Sequence, residues 1–161
     1  GNLLTSAADP EYIAPHCKKY EDYDRVMDAG ASSKNIYFIR YADLILLYAE
    51  CLLAENDLAG AKQQVIRVRN RAKVSTPITA SNNTEMLDFI YEERMRELGM
   101  EGWRRMDLIR RGADYFAAQV DKYNPFAKGN VQPYHAFYPI PTNEINMNDG
   151  IGAEDQNEGY K

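Results

Sequence analysis

Apolar residues recur at helical spacing in the first half of the chain. Between Tyr37 and Ala54 they follow one another at intervals of three and four, and additional leucines widen the apolar stripe. This spacing predicts an amphipathic helix that is covered on more than one side. A short polar turn ends the pattern, and Asp57 is a good N-cap for a second helix that extends to about Ala72. Residues 35–73 are therefore predicted to form a helix hairpin.

The hairpin has the spacing of a tetratricopeptide unit, in which two antiparallel helices pack against neighbouring pairs. Cys51 lies inside the apolar pattern, so we expect its small side chain to be buried. The side chains expected to be buried together between the two helices are those of Ile45, Tyr48, Leu52, Ala61 and Val65.

A densely charged helical region follows a linker. Asn82, with Glu85 three positions later, resembles a capping box and predicts the start of a helix that stops at Gly99. The helices predicted in this region cover residues 82–98, about 102–111 and 114–120.

Acidic and basic side chains are interleaved throughout residues 92–111. We interpret them as an ion-paired network that joins two short helices, rather than as catalytic carboxylates or metal ligands. The predicted contacts join Arg94, Arg104 or Arg105 to Glu93, Glu97, Glu101 or Asp107.

The two ends of the chain carry no clear period. Residues 1–34 are predicted to be irregular, with a short helix near 20–27, and residues 121–161 to form a loop-rich tail. The predicted fold class is mainly α: a tetratricopeptide-like helix hairpin, short charged helices and a long aromatic loop region.

Composition removes several classes of function. The 161 residues carry a net charge of −5, which argues against a nucleic-acid partner, since nucleic acid requires a basic face. No apolar run of about 18 residues is present to cross a membrane. The chain has two Cys, two His and no zinc, phosphate-loop or nucleophile-elbow motif, so we expect no metal and no cofactor.

Aromatic residues are concentrated in the last third of the chain, and most of them fall in the loop-like part. Aromatic faces pack against the C–H faces of sugar rings, while Tyr hydroxyls can bond sugar hydroxyls. The alternative is that these side chains anchor the loops to the helices.

Three groups of segments together resemble one family, the SusD/RagB-type outer-membrane glycan-binding lipoproteins. Residues 40–50 read RYADLILLYAE and are followed by VRNRA at 68–72. Residues 93–110 read ERMRELGMEGWRRMDLIR. The third group is YPIPTNEI at 138–145 with the ending QNEGY at 156–160, in which Glu158 stands where the family usually has Pro.

The resemblance implies that residues 35–161 are the C-terminal domain of a longer, predominantly helical protein. Such a protein is not an enzyme. It is held on the outer face of the outer membrane by an N-terminal lipid outside this chain. It binds an oligosaccharide, or in some members a peptide, and works with a SusC-like TonB-dependent transporter. The alternative is a tetratricopeptide-like protein-interaction scaffold without a sugar site of its own.

If this chain contributes to a sugar site, loop tyrosines are the best candidates for the contact. A neutral oligosaccharide offers apolar ring faces with a rim of hydroxyls, which suits flat aromatic platforms with polar groups nearby. We rank Tyr134 first and Tyr123 second as ligand-binding residues. Tyr138 is third because it precedes Pro139 in a family-like segment, where an anchoring role is the commoner one.

Overall fold

The computed structural model describes residues 18–20, 32 and 34–161. The chain divides into two compact units, Gly1–Tyr41 and Ala42–Lys161. In the first unit, Lys18–Tyr20 form a 3₁₀ turn. The rest of the predicted irregular start lies largely outside the described residues, as does the remainder of the short helix predicted near 20–27.

The described residues contain six α-helices and no β-strand, which confirms the mainly α fold class. Single 3₁₀ turns also occur at Pro133–Ala136 and Ala153–Asp155. The α-helices are α1 (Tyr41–Ala54), α2 (Leu58–Arg71), α3 (Asn83–Glu97), α4 (Arg104–Arg110), α5 (Ala113–Tyr123) and α6 (Thr142–Met147).

Side-chain caps begin α2 and α3 at the residues that the sequence indicated. Asp57 Oδ1 accepts a hydrogen bond from the backbone N–H of Gly60 at 2.8 Å, and Asn82 Oδ1 accepts one from Glu85 at 3.0 Å. The Glu85 carboxylate accepts from the backbone N–H and hydroxyl of Ser81, one residue before the position that a capping box uses. These bonds, the backbone one first, lower the pKa of Glu85.

The first core is built by α1, α2 and α3, and we call it the α1–α3 core. Its fully buried side chains come from all three helices, so α3 covers the apolar face that the α1–α2 hairpin does not bury by itself. Ile45 is buried as expected, and Leu52 is half-buried and packed against this core. The members with no exposed surface are Leu46, Ala49, Ala61, Val65, Met86 and Ile90.

Two predictions about α1 are wrong. Tyr48 is 53% exposed, and Cys51 is also exposed. Both lie on the side of α1 that carries the exposed Tyr41 and Leu44, whereas the α1–α3 core takes the side that carries Leu46 and the other buried residues. Since α1 is apolar on both sides, periodicity could not identify the side that packs.

A second core, the α4–α5 core, positions the aromatic loop region. Leu108 of α4, Phe116 of α5 and Ala136 of the 3₁₀ turn are buried together. The tail is less irregular than the sequence suggested, because α6 forms within it at Thr142–Met147. This helix is too short to show a period in the sequence.

Candidate functional site

A surface cavity of about 660 Å³ lies beside the α4–α5 core. Its walls come from the start of α5, from the 3₁₀ turn with the residue after it, and from the C-terminal segment. The lining residues are Ala113, Pro133, Tyr134, Phe137, Asn157, Glu158 and Gly159. A concave site of this size, with aromatic walls and few polar groups, has the character of a small-molecule pocket.

The turn that carries Tyr134 is fixed by hydrogen bonds at both ends. Pro133 supplies a preset φ at its first position, and the backbone N–H of Gln132 donates to His135 Nδ1 at 2.9 Å. Arg105 Nη2 donates to the carbonyl oxygens of His135 and Ala136, each at 3.0 Å. Arg105 therefore ties the turn to α4.

The Tyr134 ring is held by its aromatic neighbours. Its centroid lies 4.2 Å from that of the His135 ring and 5.1 Å from that of Tyr160, which meets it edge to face at 85°. Gly159 makes the closest approach: a Cβ built there would lie 2.2 Å from Tyr134 Cγ. The ring is half-buried, so part of it faces the cavity.

The C-terminal segment is hydrogen-bonded along the extended stretch after the turn. Gln156 accepts from the Ile140 N–H at 2.7 Å and donates to the Ile140 carbonyl at 2.9 Å. Asn157 Nδ2 donates to the backbone carbonyl of Tyr138 at 2.7 Å. The Tyr160 hydroxyl donates to the backbone carbonyl of Phe137 at 3.1 Å. The QNEGY ending thus builds one wall of the cavity.

The three predicted ligand residues occupy different environments. Tyr134 lines the cavity, whereas Tyr123 and Tyr138 are not among its lining residues. Tyr138 is 70% exposed, with the guanidinium carbon of Arg105 lying 4.3 Å from its ring centroid. Tyr123 is 49% exposed, and Lys122 Nζ lies 4.8 Å from its ring centroid. A hydrogen bond to Tyr123 is the main cause of a raised pKa at Lys122.

Sequence reasoning missed most of the other cavity residues. Phe137 belongs to the loop aromatics, but no feature of the sequence singles it out as a contact. Asn157, Glu158 and Gly159 stand out in the sequence only as part of the family-like ending. The signal that could have found them is the polar composition of that ending, which is separated by seventeen residues from the last aromatic residue of the preceding loop, Tyr138.

The charged region forms a buried network of ion pairs. Arg94 is 2% exposed, and its Nε donates to Asp107 Oδ2 at 2.9 Å. Arg94 Nη1 lies 2.7 Å from Asp43 Oδ1, and it donates a hydrogen bond to the backbone carbonyl of Asp43 at 3.5 Å. Burial by itself lowers the pKa of Arg94. The hydrogen bonds and charges of Asp107 and Asp43 outweigh that effect, so the pKa is raised above its usual value.

Further hydrogen bonds and ion pairs lie next to the Arg94–Asp107 ion pair. Arg110 makes a two-pronged ion pair with Glu50, with both N–O distances at 3.0 Å, and this pairing raises the pKa of Arg110. Tyr91 donates to the same Glu50 carboxylate at 3.3 Å, and burial together with that charge raises the pKa of Tyr91 to about 12. The ion-paired network predicted from the sequence is thus confirmed for Arg94 and Asp107.

Neither a metal site nor a membrane-spanning helix occurs in the described part of the chain. Within residues 18–20, 32 and 34–161, no group of three His, Cys, Asp or Glu side chains is arranged to hold a metal ion. Among these same residues, no helix combines the length and the apolar character needed to cross a membrane.

Comparisons with known proteins agree with the family suggested by the motifs. The sequence model of the SusD family matches residues 2–160. The chain is 34% identical over 134 residues to SusD-like protein P25 of Formosa agariphila, covering 80% of this chain and 25% of that protein. It is 32% identical over 142 residues to the starch-binding protein SusD of Bacteroides thetaiotaomicron, covering 84% of this chain and 23% of that protein. No solved structure gives a significant match.

The helical fold, the family-like motifs and these matches define the class: the chain belongs to the SusD family. It spans about a quarter of the length of the curated relatives it matches.

Proposed function

We propose that the protein to which this chain belongs is a non-catalytic, oligosaccharide-binding component of an outer-membrane nutrient uptake system. The observation that carries the proposal is the family match over residues 2–160, together with a relative named for starch binding. In this proposal the protein lies on the outer membrane and passes its ligand to a SusC-like TonB-dependent transporter.

The cavity beside the α4–α5 core is our candidate for a sugar contact made by this part of the protein. Tyr134 offers an aromatic face at the wall, and Phe137 adds a second ring that is 57% exposed. Asn157 supplies an amide group at the same wall, although the Tyr138 carbonyl already accepts one of its hydrogens. Aromatic faces with a few polar groups suit the apolar faces and hydroxyl rim of a sugar ring.

Tyr138 and Tyr123 are proposed as further contacts for a longer oligosaccharide. Both rings are substantially exposed, and each already carries a cation near its face. Because that cation occupies part of each ring, we expect a smaller contribution from these residues than from Tyr134.

Binding is tested by calorimetric titration of the full-length protein with neutral oligosaccharides. Tyr134→Ala is expected to weaken the affinity of the best ligand about tenfold, equivalent to about 1.4 kcal/mol, because the stacking face is removed. Tyr123→Ala and Tyr138→Ala are expected to have smaller effects. Tyr48→Ala is the control: Tyr48 is 53% exposed, close to the 49% of Tyr123, and it lies on α1, outside the cavity.

Three outcomes are informative. If Tyr134→Ala weakens binding and Tyr48→Ala does not, this chain contributes to the ligand site. If all three tyrosine variants bind normally, the site lies elsewhere in the protein and this chain supports it. If no oligosaccharide binds the full-length protein, while deleting the protein still abolishes uptake, the protein-interaction scaffold replaces the proposed function.

The transporter partnership needs its own experiment. A tagged full-length protein is purified from solubilised outer membranes, and the partners that remain bound are identified by mass spectrometry. Recovery of a TonB-dependent transporter is the expected result. Recovery of the protein without any such transporter would remove the partner from the proposal.

A further inference from the structure

The charge of the cavity beside the α4–α5 core is set by one side chain. Glu158 is the one charged residue among the lining residues of this cavity, and it is exposed at the rim. No ion pair to its carboxylate occurs within the described ranges 18–20, 32 and 34–161. The carboxylate is therefore available to act on a ligand in the cavity.

Arg105, which holds the turn at the wall of the cavity, is already engaged. Arg105 donates to the carbonyl oxygens of His135 and Ala136 and lies over the Tyr138 ring. The start of α5 at Ala113 contributes a partial positive charge of about +0.5 from its free amides. Asp114 in the first turn of the same helix opposes that partial charge. A formal negative charge thus faces the ligand without a formal positive charge in the wall to balance it.

A negative rim acts differently on neutral and anionic sugars. Two like charges about 6 Å apart repel by about 0.7 kcal/mol in water, and by several times more where solvent is partly excluded. That energy corresponds to a factor of about 3 to 10 or more in affinity. A neutral sugar hydroxyl, in contrast, can donate a hydrogen bond to the same carboxylate.

We infer that Glu158 is a specificity-determining residue, and that it makes the cavity select uncharged oligosaccharides over those carrying carboxylate or sulfate groups. This inference rests on the proposed function, because it requires a sugar in the cavity.

The test compares paired probes on the full-length protein. The probes are neutral hexasaccharides of glucose, mannose and galactose, each beside a counterpart whose C6 alcohols are oxidised to carboxylates. The measured quantity is the ratio of the affinity for the neutral member to that for its oxidised partner. Wild-type protein should favour the neutral member, and the ratio should fall as ionic strength rises to 1 M, where the Debye length is about 3 Å.

Two substitutions at the rim report on the carboxylate itself. Glu158→Gln should lower the neutral-to-anionic ratio about 3- to 10-fold at low salt, since it removes the repelling charge and keeps the shape. Glu158→Lys should lower that ratio further. Glu55→Gln is the matched control: it makes the same charge change on an exposed side chain outside the cavity, and should leave the ratio unchanged.

The possible outcomes distinguish failure of this inference from failure of the proposed function. If Tyr134→Ala weakens neutral binding but neither Glu158 variant changes the ratio, the specificity role is wrong and the sugar site stands. If wild-type protein prefers the oxidised probes, the specificity role is wrong as well. If no probe of either kind binds, the proposed function fails and this inference fails with it.

Discussion

At the scale of single residues, Gly159 meets two constraints at the wall of the cavity, a left-handed backbone and a close aromatic ring. Its φ of +86° lies in the left-handed region that side chains other than glycine adopt only with strain. The Tyr134 ring also occupies the space that a Cβ would need. Two independent constraints therefore require glycine at the wall of the cavity.

Replacing Gly159 by Ala should destabilise the protein and displace the Tyr134 ring. Backbone strain in the left-handed region costs roughly 1–2 kcal/mol, and the contact with Tyr134 Cγ adds to that cost. Gly129→Ala is the control, because Gly129 has a similar φ of +78° with nothing within 4 Å of the position that an alanine Cβ would take. Chemical denaturation of the full-length protein measures both variants. Equal losses for the two would show that Tyr134 yields without cost and does not constrain this glycine.

At the scale of elements, the C-terminal segment 156–160 completes the extended stretch 137–141. The Gln156 side chain makes two hydrogen bonds to the backbone of Ile140, which has a proline on each side. Neither Pro139 nor Pro141 has an N–H, so this stretch cannot form a regular ladder with a neighbouring strand. A side-chain amide satisfies the isolated peptide groups instead.

Gln156→Ala should release this stretch locally. The Ile140 N–H and carbonyl would lose their partners, at a cost of about 1–3 kcal/mol in the free energy of unfolding. Hydrogen exchange measured by mass spectrometry is well suited to the test, because Ile140 supplies the sole backbone amide of residues 139–141. That amide should exchange faster in the variant.

The comparison variant is Gln156→Glu, which keeps an acceptor for the Ile140 N–H but has no amide donor for the Ile140 carbonyl. Protection of the Ile140 amide should therefore be largely retained in it. Unchanged exchange in Gln156→Ala would mean that the C-terminal segment does not hold this stretch.

Elements could be predicted from the sequence where local physics decides them. Asp57 and Asn82 are N-caps because each needs only an amide three residues away. The packed side of α1 could not be chosen, since Tyr48 and Leu46 lie on opposite sides of an apolar helix. The cavity wall depends on Gln156 reaching Ile140, sixteen positions earlier, and no periodicity carries that information.

At the scale of the whole second unit, buried charges connect its helices. Arg94 of α3 bridges Asp43 of α1 and Asp107 of α4, and each of the three side chains is at most 5% exposed. The α1–α3 core and the α4–α5 core are otherwise separate apolar clusters. The network therefore joins helices that belong to different cores, at the point where the family-like segments 40–50 and 93–110 meet.

Arg94→Met should be among the most damaging single substitutions in this unit. It removes the buried cation from Asp43, and it leaves Asp107 paired with the partly exposed Arg110, whose Nη2 lies 3.3 Å from Asp107 Oδ1. Removing one partner of a buried pair costs about 3–5 kcal/mol. Arg96→Met is the matched control on the same helix: Arg96 is 48% exposed and pairs with Glu92 and Glu93, so its loss should cost less than about 1 kcal/mol. Chemical denaturation of the full-length protein gives both values.

A compensated variant separates uncompensated charge from lost packing. Adding Asp43→Asn and Asp107→Asn to Arg94→Met removes both carboxylates that lost the Arg94 cation and should recover part of the lost stability, because neutral amides are cheaper to bury than charges. If the triple variant is no more stable than Arg94→Met alone, the cost lies in the shape of the Arg94 side chain. If Arg94→Met and Arg96→Met cost the same, the buried network does not join the helices of the two cores.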